Sequence, residues 1–279
     1  MLPGAGARRL WDAARGWGFA MAGNSTQWRG RSVASKVVTL LDAFSAAEPE
    51  LSLNQLSRRT GLPLSTTYRL ASELVEWGGM EHTAGGYRIG LRLWEIGLLA
   101  PHEAGVREVA LPFMHDLYEA TRENVHLAVL DGREALYVEK ITGRQSVTVK
   151  SRRGGRLPLH ATGVGKALLA YAPEELVGGL LAAGLKPYTA HTIVAPGHLL
   201  RALAEVRRTG VAFAREEMTL GSVSVAAPVL DRAGNAVAAL AVVIRASRAD
   251  LRRLAPAVRT AAISTSRQIA GRAAMREVG

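Results

Sequence analysis

Gly61 stands between two short apolar stripes, and that placement restricts the N-terminal third of the chain more than any other feature. On its near side Leu53 and Leu56 form the inward edge of a short helix, and Ser52 with Gln55 three residues on has capping-box spacing. Gly61 can end that helix by adopting the left-handed conformation. After Leu62-Pro63 a further helix starts with Thr67, Leu70 and Leu74 inward, which leaves Ser65, Thr66, Tyr68, Arg69 and Ser72 outward. Upstream, Val33, Val37, Leu40, Leu41 and Phe44 recur at helical spacing, and the polar, Pro-containing stretch Ser45 to Glu50 closes that element. Helix, tight glycine turn, helix is a helix-turn-helix. Gly78-Gly79, the strand Met80 to Thr83, the turn Ala84-Gly85-Gly86 and the strand Tyr87-Arg88-Ile89 then predict a hairpin wing. Such a module offers its third helix to a major groove, where short hydroxyls and an arginine reach phosphates and base edges. A helical hairpin with an ordinary polar face is the competing account, and the ordered succession of helices, turn and wing counts against it.

Leu91 to Leu99, with Trp94, reads as a connecting helix that Pro101 ends. Val106, Val109, Phe113 and Leu117 continue a helical stripe, with a kink or restart expected at Pro112. After Thr121 the period changes to two. Val125, Leu127 and Val129 alternate before Asp131-Gly132, so Asn124 to Ile141 is a predicted hairpin. Helices at Pro173 to Ala183 and Leu199 to Arg208 alternate with strands at Val211 to Arg215, Val223 to Val229 and Ala236 to Arg245. A closing helix carries Leu251, Leu254, Val258 and Ile269 on one side. Hairpins mixed with helices indicate an α+β fold around an antiparallel sheet.

Composition narrows the function classes. The 279 residues include no Cys, which excludes disulfides and thiolate metal sites. The longest apolar run, Ala236 to Ile244, is about half the roughly 20 residues a membrane-spanning helix needs. The formal charge is +11, but residues 32–97 hold six bases and seven acids, so the balance itself says little about nucleic acid. Arg outnumbers Lys 30 to 5, as GC-rich coding alone would produce. Residues 1–31 lack a sustained period, and Asp12 and Arg15 interrupt any secretory core. They are expected to be a disordered or misassigned leader, with Met21 an alternative start, or else an arm that assists DNA binding.

The run from Leu53 to Leu70, LNQLSRRTGLPLSTTYRL, followed by Tyr87-Arg88-Ile89-Gly90, resembles the IclR family of bacterial transcriptional regulators. A second block from Arg156 to Leu169, RLPLHATGVGKALL, matches as well, as does Val225 to Val229 with its downstream strand. The resemblance implies a winged helix-turn-helix over residues 32–92, a linker helix over 93–104 and a GAF-like effector-binding domain over 105–276. It also implies a cytoplasmic homodimer or homotetramer bound to a double-stranded DNA operator, with no cofactor and no membrane. Arg58, Arg59, Arg69 and Arg88, with Ser65, Thr66, Thr67 and Tyr68, are the expected DNA contacts. Leu64 departs from the family, where many members have a basic residue.

Gly163-Val164-Gly165-Lys166 is not a Walker A loop, which needs Gly at 160 and Ser or Thr at 167, where this chain has His160 and Ala167. Two readings remain: a helix N-terminus suited to a carboxylate, or a turn that needs glycine for backbone reasons only. By resemblance this turn and His160 line the effector pocket with Ala214, Glu217, Ser224, Ala241 and Val243. Members that bind small keto or hydroxy acids tend to have an acid at the first of these five places and hydroxyls at the last two. Methyl groups there point to an effector that is an organic anion with an apolar or aromatic body. No Gly-x-Ser-x-Gly elbow or thiol nucleophile supports catalysis. His160 paired with Ser224 or Glu217 has no supporting spacing, and His191 and His198 are too far apart for a short helical metal pair. Arg152, Arg153 and Arg156 could bind phosphate, but a solvated face or an oligomer contact is the expected account of them. The alternative function is an enzyme acting on a small organic acid, with the N-terminal module as a docking domain.

Overall fold

The computed structural model describes residues 32–277 except 46, 100 and 144–145; the expected leader lies outside the described residues. The chain divides into two compact units, Met1–Leu98 and Leu99–Gly279.

In the first unit α1 (Val33–Asp42) is capped by Ser32, whose hydroxyl accepts from the Ser35 N–H at 3.2 Å. The capping box of α2 (Leu53–Thr60) is complete: Ser52 Oγ accepts from Gln55 N, and Gln55 Oε1 accepts from Ser52 N at 2.8 Å. Gly61 takes φ 71°, the left-handed stop that a side chain would strain. The turn is then braced by Ser57 Oγ donating to Leu62 O at 2.7 Å, before α3 (Leu64–Glu76) begins. Leu40, Leu51, Leu56, Leu62, Leu70, Leu74, Met80 and Tyr87 close one small core. Each of its larger side chains contributes about 1.5–3 kcal/mol by leaving water.

The wing is β2 (Met80–Thr83) and β3 (Gly86–Ile89), followed by α4 (Leu91–Gly97). A strand absent from the sequence reading joins it. β1 (Glu50–Leu51) starts at the last residue of the stretch read as a polar breaker, and pairs with Arg88 and Tyr87 to give sheet order β1-β3-β2. Two residues are too few to show a period of two. Gly86 is obligatory at this junction, since a Cβ there would sit 2.3 Å from Leu51 O.

The second unit opens with α5 (Pro101–Thr121), which runs unbroken through Pro112, so the expected restart is absent. Pro101 begins this helix, a position its fixed φ favours. Then come β4 (Asn124–Asp131), β5 (Glu134–Ile141), β6 (Arg156–Pro158), α6 (Gly163–Leu169), α7 (Glu174–Ala182) and α8 (Pro196–Thr209). β7 (Ala212–Arg215), β8 (Ser222–Leu230), β9 (Ala236–Arg245) and α9 (Leu251–Glu277) complete it. The strands form one antiparallel sheet, β6-β5-β4-β9-β8-β7.

Both sheet faces are buried, by different means. Val125, Leu127, Val225, Val229, Leu240 and Val242 pack with α5 and α9. The other face is mostly alanine, Ala128, Ala135, Ala212, Ala226, Ala239 and Ala241, and α6 lies on it with every residue buried. Small side chains on the sheet let a helix that begins Gly-Val-Gly approach this closely. Among the described residues, no helix is long and apolar enough to cross a membrane.

Candidate functional site

On the first unit, α3 turns Ser65, Tyr68 and Arg69 to solvent, with Thr66 and Ser72 half-buried beside them. Tyr68 is 57% exposed. Thr67 is a correction to the expected contact set. It is fully buried, and its hydroxyl donates to Pro63 O at 3.1 Å, so it holds the start of α3 instead of facing outward. The cap residue Pro63 makes no side-chain hydrogen bond to the helix, so the first turn of α3 lacks a side-chain cap.

The arginines differ in their engagement. Arg58 is exposed on α2. Arg59 donates to Ala43 O at 2.9 Å and pairs with Glu48, which ties α2 to the loop after α1. Arg69 lies 3.8 Å from Glu73 one turn on, and Arg88 Nε donates across the wing to Glu81 at 2.8 Å. Exposed pairs of this kind contribute about 0–1 kcal/mol, so a phosphate can compete for these guanidinium groups.

On the second unit a cavity of about 470 Å³, solvent-facing mouth included, opens between α6, the alanine face of the sheet and the loop after β7. Of the expected residues, Gly163, Val164, Ala214, Glu217, Ser224, Ala241 and Val243 line it. Strand register explains the convergence. Ala214 pairs with Ser224 and Ser224 with Val243, while Ala241 pairs with His126 one row away. Gly163 keeps α6 against this row, since a Cβ would fall 2.6 Å from Ser224 Oγ.

His160 and Gly165 are not among the lining residues, contrary to expectation. His160 Nε2 is bonded to Lys186 O at 3.0 Å, and its ring lies 5.8 Å from that of Tyr188. Gly165 serves packing: a Cβ there would approach Leu159 O to 2.3 Å, and its N–H is taken by the Thr162 cap at 3.1 Å. Arg153 and Arg156 belong to ion pairs with Glu139 and Asp131.

The cavity also contains residues that sequence reasoning missed. His126, Tyr137 and Ser151 line it. Burial, reinforced by the Lys140 ammonium, lowers His126 to about 3, so its imidazole is neutral. It is held by Ser151 Oγ at 3.1 Å and meets Tyr137 edge-on, with centroids 5.4 Å apart. Burial also raises the Tyr137 hydroxyl, which stays protonated beside Thr162. A signal for His126 existed: in β4 the residues between Val125, Leu127 and Val129 are His126 and Ala128, a second face too small or polar for the main core.

Lys166, read only as the end of a glycine turn, is fully buried and donates to Glu217 Oε1 at 2.6 Å. Burial lowers its pKa, and the Glu217 carboxylate opposes that shift. The arrangement is a neutral-imidazole, hydroxyl-rich recess with one internally compensated charge pair. It can hold a small molecule by shape and hydrogen bonds, and among the described residues no group of acidic or histidine side chains could hold a metal ion.

The two units match two family models. Residues 33–82 match the IclR helix-turn-helix domain, and residues 99–270 match the bacterial transcriptional regulator IclR C-terminal domain. The chain belongs to the IclR family. IclR proteins are transcriptional regulators, which decides against the enzyme alternative. This IclR protein is 34% identical over 218 residues to the HTH-type transcriptional regulator XynR of Escherichia coli K12, covering 77% of this chain and 86% of that one. It is 34% identical over 226 residues to the HTH-type transcriptional repressor AllR of Salmonella paratyphi A, covering 80% and 83%. Among solved structures it is similar to an IclR homolog from Microbacterium hydrocarbonoxydans complexed with 4-hydroxybenzoate. That match has a TM-score of 0.81 and 31% identity, covering 84% of this chain and 98% of that one. The Thermotoga maritima IclR is similar with a TM-score of 0.72 and 28% identity, covering 85% and 98%.

Proposed function

We propose that this IclR regulator binds its operator through the exposed face of α3 and the wing, and that a small organic anion with an apolar or aromatic body modulates that binding. Arg58, Ser65, Thr66, Tyr68, Arg69 and Arg88 would contact the duplex, with the open first turn of α3 suited to a backbone phosphate. Arg59 would add charge from behind the reading helix. A homodimer acting in the cytoplasm would place two such helices on a two-fold symmetric operator.

The observation that carries the ligand reading is the composition of the cavity wall. Within this otherwise polar recess, Ala214, Ala241 and Val243 put methyl groups at the three places where, by the family resemblance, binders of small keto or hydroxy acids tend to carry an acid and two hydroxyls. Each unmet buried polar group costs about 1–3 kcal/mol, which selects against glyoxylate or pyruvate and for a ligand with more carbon surface. The 4-hydroxybenzoate complex of the Microbacterium hydrocarbonoxydans relative agrees with that class. Calorimetry with matched acids tests it: aromatic acids are expected to bind more tightly than glyoxylate and pyruvate. The reverse order would overturn the reading.

A further inference from the structure

Helix α9 carries charge of one sign. Residues 251–276 include six Arg and neither Asp nor Glu. At 3.6 residues per turn, Arg252, Arg253, Arg259 and Arg267 fall within an arc of about 120° and along about 22 Å of helix. That arc lies opposite the buried Leu251, Val258, Ala261, Ala262 and Thr265, and all four arginines are exposed. Arg272 lies off the arc and faces Glu108 at 3.5 Å. Asp250, just before the helix, accepts from the Arg253 backbone N–H at 3.1 Å. Among the described residues, no carboxylate pairs with the four guanidinium groups on the arc. Arginines elsewhere in the same unit, Arg107, Arg153, Arg156 and Arg208, each face an acid.

The other members of the arc are Pro256, Thr260 and Ile263. A membrane surface would need an apolar row to bury, and here only Ile263 is large and apolar, because the helix's apolar side is already in the core. A row of phosphates fits instead. Each strand of duplex DNA carries one phosphate per about 3.4 Å of axis, so about 22 Å of helix can face roughly six of them. Guanidinium groups bind phosphate bidentately, and these have no ion pair to break first. We infer that the outer face of α9 is a second, sequence-independent contact to duplex DNA, holding backbone phosphates of the duplex that adjoins the operator. This goes beyond, and rests on, the reading of α3 and the wing as the operator-binding surface, which is what brings a duplex to the protein. Arg259 also packs over Gly210 at the end of α8, its Nε 3.2 Å from where a Cβ would stand, so the test leaves it in place.

The test uses the full-length protein and duplexes of about 20, 40 and 60 base pairs, centred on the segment that it protects upstream of its own reading frame. Arg252→Gln with Arg253→Gln and Arg267→Gln removes three charges from the face. Arg133→Gln with Lys186→Gln and Arg201→Gln removes three exposed charges elsewhere in the unit, as a control for net charge. On the longest duplex the α9 variant is expected to bind about tenfold weaker than wild type, or more, with a slope of log K against log salt smaller by about 2–3. On the shortest the two should agree within about threefold, and the control should stay within that range at every length. Lysine at the three α9 positions keeps the charge and should restore most of the binding. A loss no larger than the control's would overturn the proposal. An equal loss at every length would assign the face to subunit assembly, and loss of binding to phosphatidylglycerol vesicles with duplex binding kept would assign it to lipid headgroups; either overturns the proposal. All three results leave the operator reading standing, whereas failure of the wild type to protect any upstream segment would overturn both.

Discussion

His126 and Thr67 are residues whose chemistry is set by burial. The folded pKa of His126 is about 3, below the ordinary value near 6.5, so the unfolded chain takes up a proton the folded protein refuses. Its contribution to stability is therefore complete above pH 6.5 and is lost as the pH falls toward 3. Between pH 6.5 and pH 5 this amounts to about 2 kcal/mol. Urea midpoints at the two pH values are expected to converge in His126→Gln relative to wild type; an unchanged difference would show that other groups carry the acid sensitivity. Thr67→Val should cost about 1 kcal/mol of stability with little effect on operator affinity, because its hydroxyl braces α3. Arg69→Ala should do the opposite, leaving the melting temperature unchanged and weakening operator binding about tenfold or more in a gel shift at fixed salt. Thr67 was legible as inward from its spacing with Leu70 and Leu74. It entered the DNA-contact set only by its neighbourhood, and the helical spacing of three and then four residues was the better guide. The Lys166–Glu217 pair could not be read at all: its members are 51 positions apart and only the fold brings them together.

Among the elements, α6 best shows how sequence becomes a site. Its two glycines look equivalent in Gly163-Val164-Gly165, yet they meet different surroundings. Gly163 faces the Ser224 hydroxyl, a group that can rotate, whereas Gly165 faces the Leu159 backbone, which cannot yield without moving the strand-to-helix turn. Gly163→Ala is expected to keep the fold and weaken ligand binding, while Gly165→Ala should lower the melting temperature by several degrees, whatever the ligand. Thermal melts with and without a bound aromatic acid separate the two outcomes, and equal destabilisation would refute the distinction. Long periodic elements were legible: the helices around Gly61, the wing, β4 with β5, and the three strands from β7 to β9. β1 was not, because two residues carry no period, and of the kink or restart expected at Pro112 the restart does not occur: Pro112 lies midway along a 21-residue helix whose neighbouring Ala110, Phe113 and Met114 pack into the main core. The ring of His126, Tyr137 and Ser151 was hidden for another reason. Polar residues on a mostly buried face look like noise until the fold gathers them, His126 from β4, Tyr137 from β5 and Ser151 from the loop before β6.

For the whole molecule the proposal is that a ligand in the cavity of one unit changes what the other unit does to DNA. Residues 32–97 are nearly neutral, and Arg59, Arg69 and Arg88 already face carboxylates, so on the proposed reading their grip on phosphate would be modest and operator affinity open to regulation by small energies. A ligand shifts that affinity only to the extent that it binds one arrangement of the protein better than another, and such couplings commonly amount to a 5- to 150-fold change. The direct measurement is anisotropy titration of the full chain on labelled DNA from upstream of its own reading frame, with and without a saturating aromatic acid. The dissociation constant should move by about fivefold or more, in either direction, and in Gly163→Val the movement should vanish while the ligand-free constant stays as in wild type. Should an acid that calorimetry shows to occupy the cavity leave the wild-type constant unchanged, the regulatory account of this protein would be contradicted.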